Sequence, residues 1–170
     1  MIIRQAELSD LPALADSARS FFDSAFSADN DPVVMQEYMD SAFTIERFTQ
    51  EFQEQGSAFF LAVENNKIFG YARLRMNPEV DQLLSGSTIE LQRFYLNPSA
   101  WGTGLSDDLM HVCLDFAHGI DWMWLGVWEK NPRALKFYAR YAFKKFSEHT
   151  FMMGNEAQID LLMCRRMNTI

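Results

Sequence analysis

Residues 122–128 form a nearly continuous apolar run, and this run constrains the fold more than any other feature of the sequence. It is far shorter than the ~20 apolar residues that a membrane-spanning helix needs. A short run of this kind is typical of a strand that is covered on both faces. Apolar residues recur before it at the spacing of one helix face, at Leu105, Leu109, Val112 and Phe116. A second helix is predicted after it, because Asn131-Pro132 combines an N-cap residue with proline at the first helical position.

The rest of the chain predicts elements in the order βααα-ββ-βα-βα-ββ. Apolar patterns bounded by turn residues predict further strands at 2–3, 58–63, 68–76, 88–96, 143–153 and 157–167. Helices are predicted from Leu11, twice within 33–55, and after Gly104 and Asn131. Hairpins make part of the sheet antiparallel, and the central strand–helix–strand unit makes part of it parallel. We therefore expect an α/β fold with a mixed sheet of about seven strands and helices on both faces.

Length and composition bound the number of domains and the kind of partner. A chain of 170 residues without internal repeats or a low-complexity linker predicts a single domain over 1–170. The net charge of −8 disfavours nonspecific binding to nucleic acid and suits a cationic small molecule. Cys113 and Cys164 without CxxC spacing, and an early acidic residue, predict a cytoplasmic protein with reduced thiols and no membrane anchor. His111 and His118 flank a helix at i and i+7 with Asp115 between them, but a solvated polar face explains this spacing better than a metal site.

The strand at 88–96 carries a break in its alternation. Apolar and polar residues alternate up to Leu91, two polar residues follow at Gln92 and Arg93, and the apolar phase resumes at Phe94. A β-bulge inserts one residue in this way and opens the ladder locally. The open ladder would leave backbone groups for a ligand, while an edge irregularity without a ligand is the alternative interpretation.

The motif Gly102-Thr103-Gly104 follows that strand and opens a helix. The unsatisfied amides and positive dipole of a helix N-terminus form an anion site, and glycine lets a phosphate approach the backbone. A Rossmann motif would need a third glycine where this chain has Asp107, and the Gly-Lys-Ser/Thr of a Walker motif is absent. The loop therefore supports a phosphate-bearing ligand but neither NAD nor ATP. A plain tight turn is the alternative interpretation.

Segments 90–96, 101–106 and 131–143 together resemble the GNAT superfamily of N-acetyltransferases. The third segment has the pattern N-x-x-A-x-x-F-Y-x-x-x-G-F except at Ala142, and Trp101 stands where that family usually has glutamine or arginine. Segments 90–96, 125–131 and 148–151 are most similar to the PaiA-type polyamine acetyltransferases. The resemblance covers nearly the whole chain and implies a sheet that splays between its fourth and fifth strands.

The resemblance also implies acetyl-CoA as the cosubstrate, without a metal. Its pantetheine arm would bind along the splayed strand through the backbone of Phe94, Tyr95 and Leu96. Its pyrophosphate would bind the loop and helix start, at Gly102, Thr103, Gly104, Leu105, Ser106 and Asp107. Asn131 and Tyr138 would complete this site from the next helix, which they share at i and i+7. By themselves, Asn131 fits a helix cap and Tyr138 fits a core position.

Direct attack of a primary amine on the thioester needs a base and an acid. An amine with an ordinary pKa of about 10.4 is protonated at pH 7, so a base must take its proton, and Glu90 is the candidate. The departing thiolate needs a proton, and Tyr138 matches the tyrosine that would supply it in the family. An amide near Phe94 would bind the carbonyl oxygen as charge develops there. His149 and water are the alternative bases.

The acceptor is expected to be a primary amine of a small molecule, with a polyamine as one example. The resemblance implies that the N-terminal helices wall the acceptor site, so acid in or beside them would bind a second ammonium, at Asp29, Asp31, Glu37 and Asp40. Glu79 and Asp81 add acid before the strand at 88–96, although a solvated acidic surface explains all six residues equally well. A protein or peptide amine, and a non-catalytic acyl-CoA sensor, are the alternative functions. Relatives often dimerise, so a homodimer is a further expectation.

Overall fold

A computed structural model describes residues 1–76, 84–153 and 156–167 of the chain. The strands are β1 (Ile2–Gln5), β2 (Ser57–Glu64), β3 (Lys67–Arg75), β4 (Thr88–Leu96), β5 (Trp122–Trp128), β6 (Lys144–Met153) and β7 (Glu156–Arg166). The helices are α1 (Leu11–Phe26), α2 (Pro32–Ala42), α3 (Ile45–Gln53), α4 (Leu105–Phe116) and α5 (Pro132–Arg140). This order confirms the one expected from the sequence. The predicted turn at Gly154–Asn155 lies outside the described residues.

The seven strands form one sheet in the order β1-β2-β3-β4-β5-β7-β6. The β4–β5 pair is parallel, and the other neighbouring pairs are antiparallel. One apolar cluster joins the sheet to α4 and α5, and includes Leu109, Met110, Met123 and Leu125. A second cluster joins it to α1, α2 and α3, and includes Leu14, Phe22, Phe48 and Tyr71. The mixed sheet with helices on both faces is thereby confirmed.

The bulge expected in β4 is present. Arg73 of β3 is opposite Arg93 of β4, but its neighbour Leu74 is opposite Leu91. Gln92 therefore has no partner in β3 and is the inserted residue. The polar pair at Gln92 and Arg93 marked this position in the sequence, which confirms the prediction.

The parallel pairing of β4 with β5 is short. Thr88–Glu90 pair with residues 122–124, and no pair follows further along β4. In contrast, β5 stays paired with β7 as far as Trp128. The two central strands therefore diverge after Glu90 and Trp124, which confirms the splay between the fourth and fifth strands.

The helix starts follow local capping chemistry. The Asp31 side chain accepts hydrogen bonds from two amides of the first turn of α2, and the Thr44 side chain accepts one from Arg47 in α3. Pro32 and Pro132 stand at the first positions of α2 and α5, where no amide hydrogen is needed. Among the described residues, no helix is long and apolar enough to cross a membrane.

Candidate active site

The divergence of β4 and β5 opens a cleft of about 1140 Å³. One wall is the far half of β4, and the opposite wall is β5 with its neighbours β7 and β6. Residues of α1 and α2 close one end, and the start of α4 together with α5 forms the other. The cleft therefore joins the bulge, the glycine loop and the helix with Tyr138, which the sequence singled out separately.

Glu90 lies where β4 and β5 diverge, a point that we call the fork of the cleft, and it is 8% exposed. The Nε of Arg75 donates to Glu90 Oε2 at 2.6 Å. Arg75 and Arg93 pair with different acids, since Arg93, on β4 itself, makes two bonds to Glu51, at 2.6 and 3.0 Å. The difference follows from the bulge, because the inserted residue turns Arg93 toward α3.

A buried arginine of β3, outside the cleft lining, bonds to the inserted residue of the bulge. Arg73 is fully buried, and its guanidinium donates to the side chains of Gln92 and Glu54. It also donates to Ser57 Oγ at 3.2 Å and lies 3.5 Å from Glu51 Oε1. These bonds fix the inserted residue of β4, so the bulge is a rigid feature of the cleft wall.

Two glycines shape the loop that enters the cleft. Gly102 has φ +76° and Gly104 has φ +91°, in the left-handed region that glycine adopts without strain. A Cβ at either position would meet nothing within 4 Å, so the loop faces open space. This open, glycine-lined surface is one that a phosphate group can approach closely.

The amides of the loop divide into two groups. The Thr103 amide donates to Ala100 at 3.4 Å and the Asp107 amide to Gly104 at 2.9 Å, so both have partners inside the chain. The Leu105 amide faces Thr103 Oγ1 at 3.5 Å, and the Leu105 side chain is buried. Within the described chain, the amides of Gly102, Gly104 and Ser106 make no such bond. These three, fewer than the six residues expected, are the donors available to an anion.

Asp107 points away from the loop, toward α5. Its Oδ1 accepts from Arg140 Nη2 and from the Tyr141 hydroxyl, each at 2.6 Å. Burial and the neighbouring Asp107 raise the pKa of Tyr141 to about 12, so its hydroxyl stays a donor. Asp107 does not line the cleft, and its negative charge is balanced by Arg140.

The helix α5 brings Asn131 and Tyr138 to the cleft. Asn131 is the N-cap, since its Oδ1 accepts from the Ala134 amide at 3.0 Å. Tyr138 is 9% exposed and packs against the rings of Phe94 and Phe143. Burial is the main reason that the pKa of Tyr138 is raised, so the phenol remains protonated at neutral pH.

An arginine and a tryptophan meet at the mouth of the cleft, where both line it. The guanidinium carbon of Arg133 lies 3.7 Å from the ring centroid of Trp101, within the range of a cation–π contact. Trp101 is 44% exposed. No ion pair to Arg133 is formed by the part of the chain that the structure describes.

Aromatic rings line the opposite end of the cleft, against α1 and α2. They belong to Phe22, Phe26, Tyr38, Phe43, Tyr95 and Trp128. Asn30, which follows α1, accepts a hydrogen bond from Gln158 of β7 at 2.5 Å and ties the two walls together. Asp160 and His149 face each other in the β6–β7 pair and also line the cleft.

The acidic wall expected from the N-terminal helices is absent from the described lining, so that prediction is wrong. The Asp31 carboxylate caps α2, and Asp40 pairs with Arg19 at 2.6 Å on the outer surface. Asp29 and Glu37 are exposed and do not line the cleft either. Asp31 and Asp40 are thus used in a helix cap and a surface ion pair, and the other two carboxylates are exposed to solvent. Glu79 and Asp81 lie outside the described residues.

Eight of the predicted site residues line the cleft: Glu90, Phe94, Tyr95, Leu96, Gly102, Ser106, Asn131 and Tyr138. Thr103, Gly104, Leu105 and Asp107 belong to the loop and helix start beside it. Asp160 and Trp124 also line the cleft, although no sequence pattern singled them out. The signal for Asp160 was a lone acid within an apolar strand. In the described residues, no group of three metal-ligating side chains could hold a metal ion.

Comparison with protein families gives a match over most of the chain. The model of the acetyltransferase (GNAT) family matches residues 16–143. An uncharacterized N-acetyltransferase from the pepI 3′ region of Lactobacillus delbrueckii subsp. lactis is 30% identical over 165 residues, or 95% of this chain and 94% of that protein. An uncharacterized N-acetyltransferase of Mycobacterium tuberculosis is 32% identical over 164 residues, covering 94% and 99% of the two chains.

Solved structures share the architecture. The PaiA N-acetyltransferase of Thermoplasma acidophilum, crystallised with coenzyme A, matches with a TM-score of 0.77 and 19% identity over 97% of this chain and 98% of that one. The ribosomal-protein-S18-alanine N-acetyltransferase of Escherichia coli matches with a TM-score of 0.71 and 18% identity, covering 99% and 95%. At this level of identity, the two structures support the fold.

Proposed function

This chain belongs to the acetyltransferase (GNAT) family, and on that premise we propose that it transfers the acetyl group of acetyl-CoA to a primary amine of a small molecule. Acetyl-CoA supplies an acetyl group activated as a thioester. The residues of the cleft then have to bind the cosubstrate, orient the amine and move two protons.

The observation that carries the proposal is the gap between β4 and β5. Beyond Glu90 and Trp124 the two strands no longer pair, although β5 continues to Trp128. On the side away from β3, the backbone of β4 at Phe94, Tyr95 and Leu96 therefore faces the cleft instead of a paired strand. An extended amide-containing arm such as pantetheine can hydrogen-bond to such a backbone as an added strand does.

The phosphate-binding groups lie at the mouth of the same cleft. The free amides of Gly102, Gly104 and Ser106 lie at the start of α4, where the helix dipole favours negative charge. The Arg133 guanidinium adds a positive charge from α5. Because Arg140 balances the charge of Asp107, that carboxylate does not oppose an anion at the loop.

Tyr138 is our candidate for the acid that protonates the departing thiolate. Its ring lines the cleft beside Phe94, and its raised pKa keeps the phenolic proton available near neutral pH. A general acid must hold its proton in the resting enzyme, and a buried phenol satisfies this condition.

Glu90 is our candidate for the base that takes the proton of the amine, directly or through water. It is a carboxylate at the fork of the cleft, held in one orientation by Arg75. The bulge at Gln92 opens the ladder next to Phe94, so an amide there can bind the carbonyl oxygen as charge develops.

The end of the cleft against α1 and α2 is the acceptor end in this proposal. Its shape favours a small molecule over a protein. Aromatic rings from α1 and α2 form one side, and the Asn30–Gln158 hydrogen bond joins that side to β7. A protein substrate would need an open groove at this end. A polyamine is one such acceptor, although the N-terminal acids do not line the cleft.

A thiol-release assay with acetyl-CoA and a panel of primary amines tests the proposal. The expected result is CoA release that depends on the amine and that Tyr138→Phe slows strongly. Stabilisation of the fold by CoA, without release for any amine or peptide, would instead favour a sensor. Release only with peptides would replace the small-molecule acceptor by a protein.

A further inference from the structure

Trp124 and Asp160 both line the cleft, and each carries a polar group without a hydrogen-bond partner among the described residues. The indole of Trp124 is 5% exposed, and its Nε1–H makes no hydrogen bond. The Asp160 carboxylate also lines the cleft, and no described residue forms a hydrogen bond or ion pair with it. A buried donor without a hydrogen bond is unfavourable in a folded protein and calls for an explanation. Asp160 is half-buried, and the charge of His149 on β6 acts on it.

Gly126 lies between the two groups and opens the space that they share. A Cβ on Gly126 would lie 3.7 Å from Asp160 Oδ2, so the missing side chain exposes this oxygen to the cleft. Trp124 is two residues earlier on the same face of β5, a separation of about 7 Å at the rise of a strand. Trp124 and Asp160 therefore lie within the span of one small molecule.

The surroundings of Asp160 suit a cation. Burial raises the pKa of Asp160, while the charge of His149 on β6 lowers it. Tyr38 of α2 also feels the charge of Asp160. The ring of Trp128, which is opposite Asp160 in the β5–β7 pair, lines the same space. A carboxylate with aromatic neighbours is a favourable environment for an ammonium group.

The register also relates this space to the reacting end of the cosubstrate. Glu90 and Trp124 form the last pair between β4 and β5, and Gln92 and Gly126 each lie two residues beyond it. Since the two strands are parallel at the fork, Gly126 and the bulge are level across the cleft. An amine beside Gly126 thus faces the bulge.

We propose that Asp160 and Trp124 form the acceptor subsite, in which Asp160 binds the ammonium group and Trp124 Nε1–H donates to an oxygen atom of the same molecule. The acceptor is then a primary amine that carries a hydrogen-bond-accepting oxygen near its amino group. This assignment rests on the proposed function and specifies its substrate class.

Two amines of equal length test the assignment, 2-methoxyethylamine and n-butylamine, which differ by an ether oxygen in place of a methylene. Asp160→Asn is expected to raise KM for both amines about tenfold or more with kcat nearly unchanged, because it removes the charge partner of the ammonium. Trp124→Phe is expected to lower the ratio of kcat/KM for the ether over the alkyl amine about tenfold. Comparing this ratio between variants cancels the different basicities of the amines.

Asp23→Asn is the matched control, since it removes the same charge from an exposed position of α1 outside the cleft. An unchanged KM in Asp160→Asn, or a fall in kcat alone, would overturn the ammonium site. An unchanged ratio in Trp124→Phe would overturn the oxygen contact.

Calorimetric titration of each amine into protein saturated with CoA separates this assignment from the proposed function. If no amine is acetylated but the wild type binds 2-methoxyethylamine and Asp160→Asn does not, the subsite stands and the proposed reaction fails. Equal binding by both proteins, or none by the wild type, rejects the subsite whatever the activity.

Discussion

Arg73 donates from its buried guanidinium to the side chain of Gln92, the residue of β4 that has no partner in β3. The geometry of the cleft wall is thus supported by a charged group that lies outside the cleft lining. The same guanidinium also contacts Glu51 and Glu54. The bulge, the buried charges and the helix α3 therefore form one unit.

Arg73→Met tests this unit. Removing one member of a buried ionic cluster leaves the carboxylate of Glu51 without part of its compensation, and such changes lower the free energy of unfolding by about 3–5 kcal/mol. Urea denaturation measures the loss. Arg19→Met, which breaks the exposed pair with Asp40, is the control and should lose little. Equal losses in the two variants would show that Arg73 does not support the bulge.

Tyr138→Phe tests the proposed acid. If the phenol protonates the thiolate, kcat should fall by about 10²-fold or more, while the affinity for CoA and the unfolding midpoint stay close to those of the wild type. Tyr71→Phe is the matched control, because it removes a buried hydroxyl that has no hydrogen-bond partner and does not line the cleft. A similar kcat for both variants and the wild type would remove Tyr138 from the mechanism.

Arg133→Met tests the cation at the mouth of the cleft. A guanidinium that contacts phosphate should strengthen CoA binding most at low salt, so the variant should bind CoA about tenfold more weakly there and depend less on salt. Calorimetry at two ionic strengths measures both effects. Lys136→Met removes a positive charge from the same helix outside the cleft lining and should change neither.

Asp160→Asn should change the pH dependence of stability. The raised pKa of Asp160 means that the native state keeps this proton at pH values where the unfolded chain has released it. The free energy of unfolding of the wild type therefore falls as pH rises toward the raised pKa of Asp160. Above that pKa it stays lower, because the native state then holds the ionised carboxylate. The variant should be more stable than the wild type at pH 7, with an advantage that shrinks as pH is lowered.

Urea midpoints from about pH 3.5, just below the ordinary pKa of an aspartate, to about pH 8, without amine, measure this trend. The urea midpoint of Asp23→Asn should change with pH in the same way as that of the wild type. An advantage of Asp160→Asn that is constant with pH would mean that the carboxylate is not destabilised by its burial.

Local patterns were sufficient for much of the fold. The polar pair at Gln92 and Arg93 located the bulge, because an inserted residue must shift the alternation of a strand. Asn131-Pro132 marked the start of α5, because an N-cap and a proline act through the nearest backbone groups. These predictions depend on contacts within a few residues, which a sequence displays directly.

The acceptor end depends on contacts that no local pattern displays. The sequence predicts β6 and β7 as a hairpin, but it does not show that β7 lies between β5 and β6. That insertion brings Asp160 beside Gly126. The family resemblance, conversely, predicts the acids of the N-terminal helices at the acceptor site, where the structure does not place them. The carboxylate of Asp31 bonds to the nearest amides instead, a competition that helical periodicity does not reveal.

The short pairing of β4 with β5 has a consequence for the protein in the absence of its cosubstrate. A sheet that opens in its interior presents two additional edges, and unpaired edges are templates for strands of other molecules. The pantetheine arm would cover one of these edges whenever it is bound. Saturation with CoA should then protect concentrated solutions of this protein against self-association, a benefit independent of turnover.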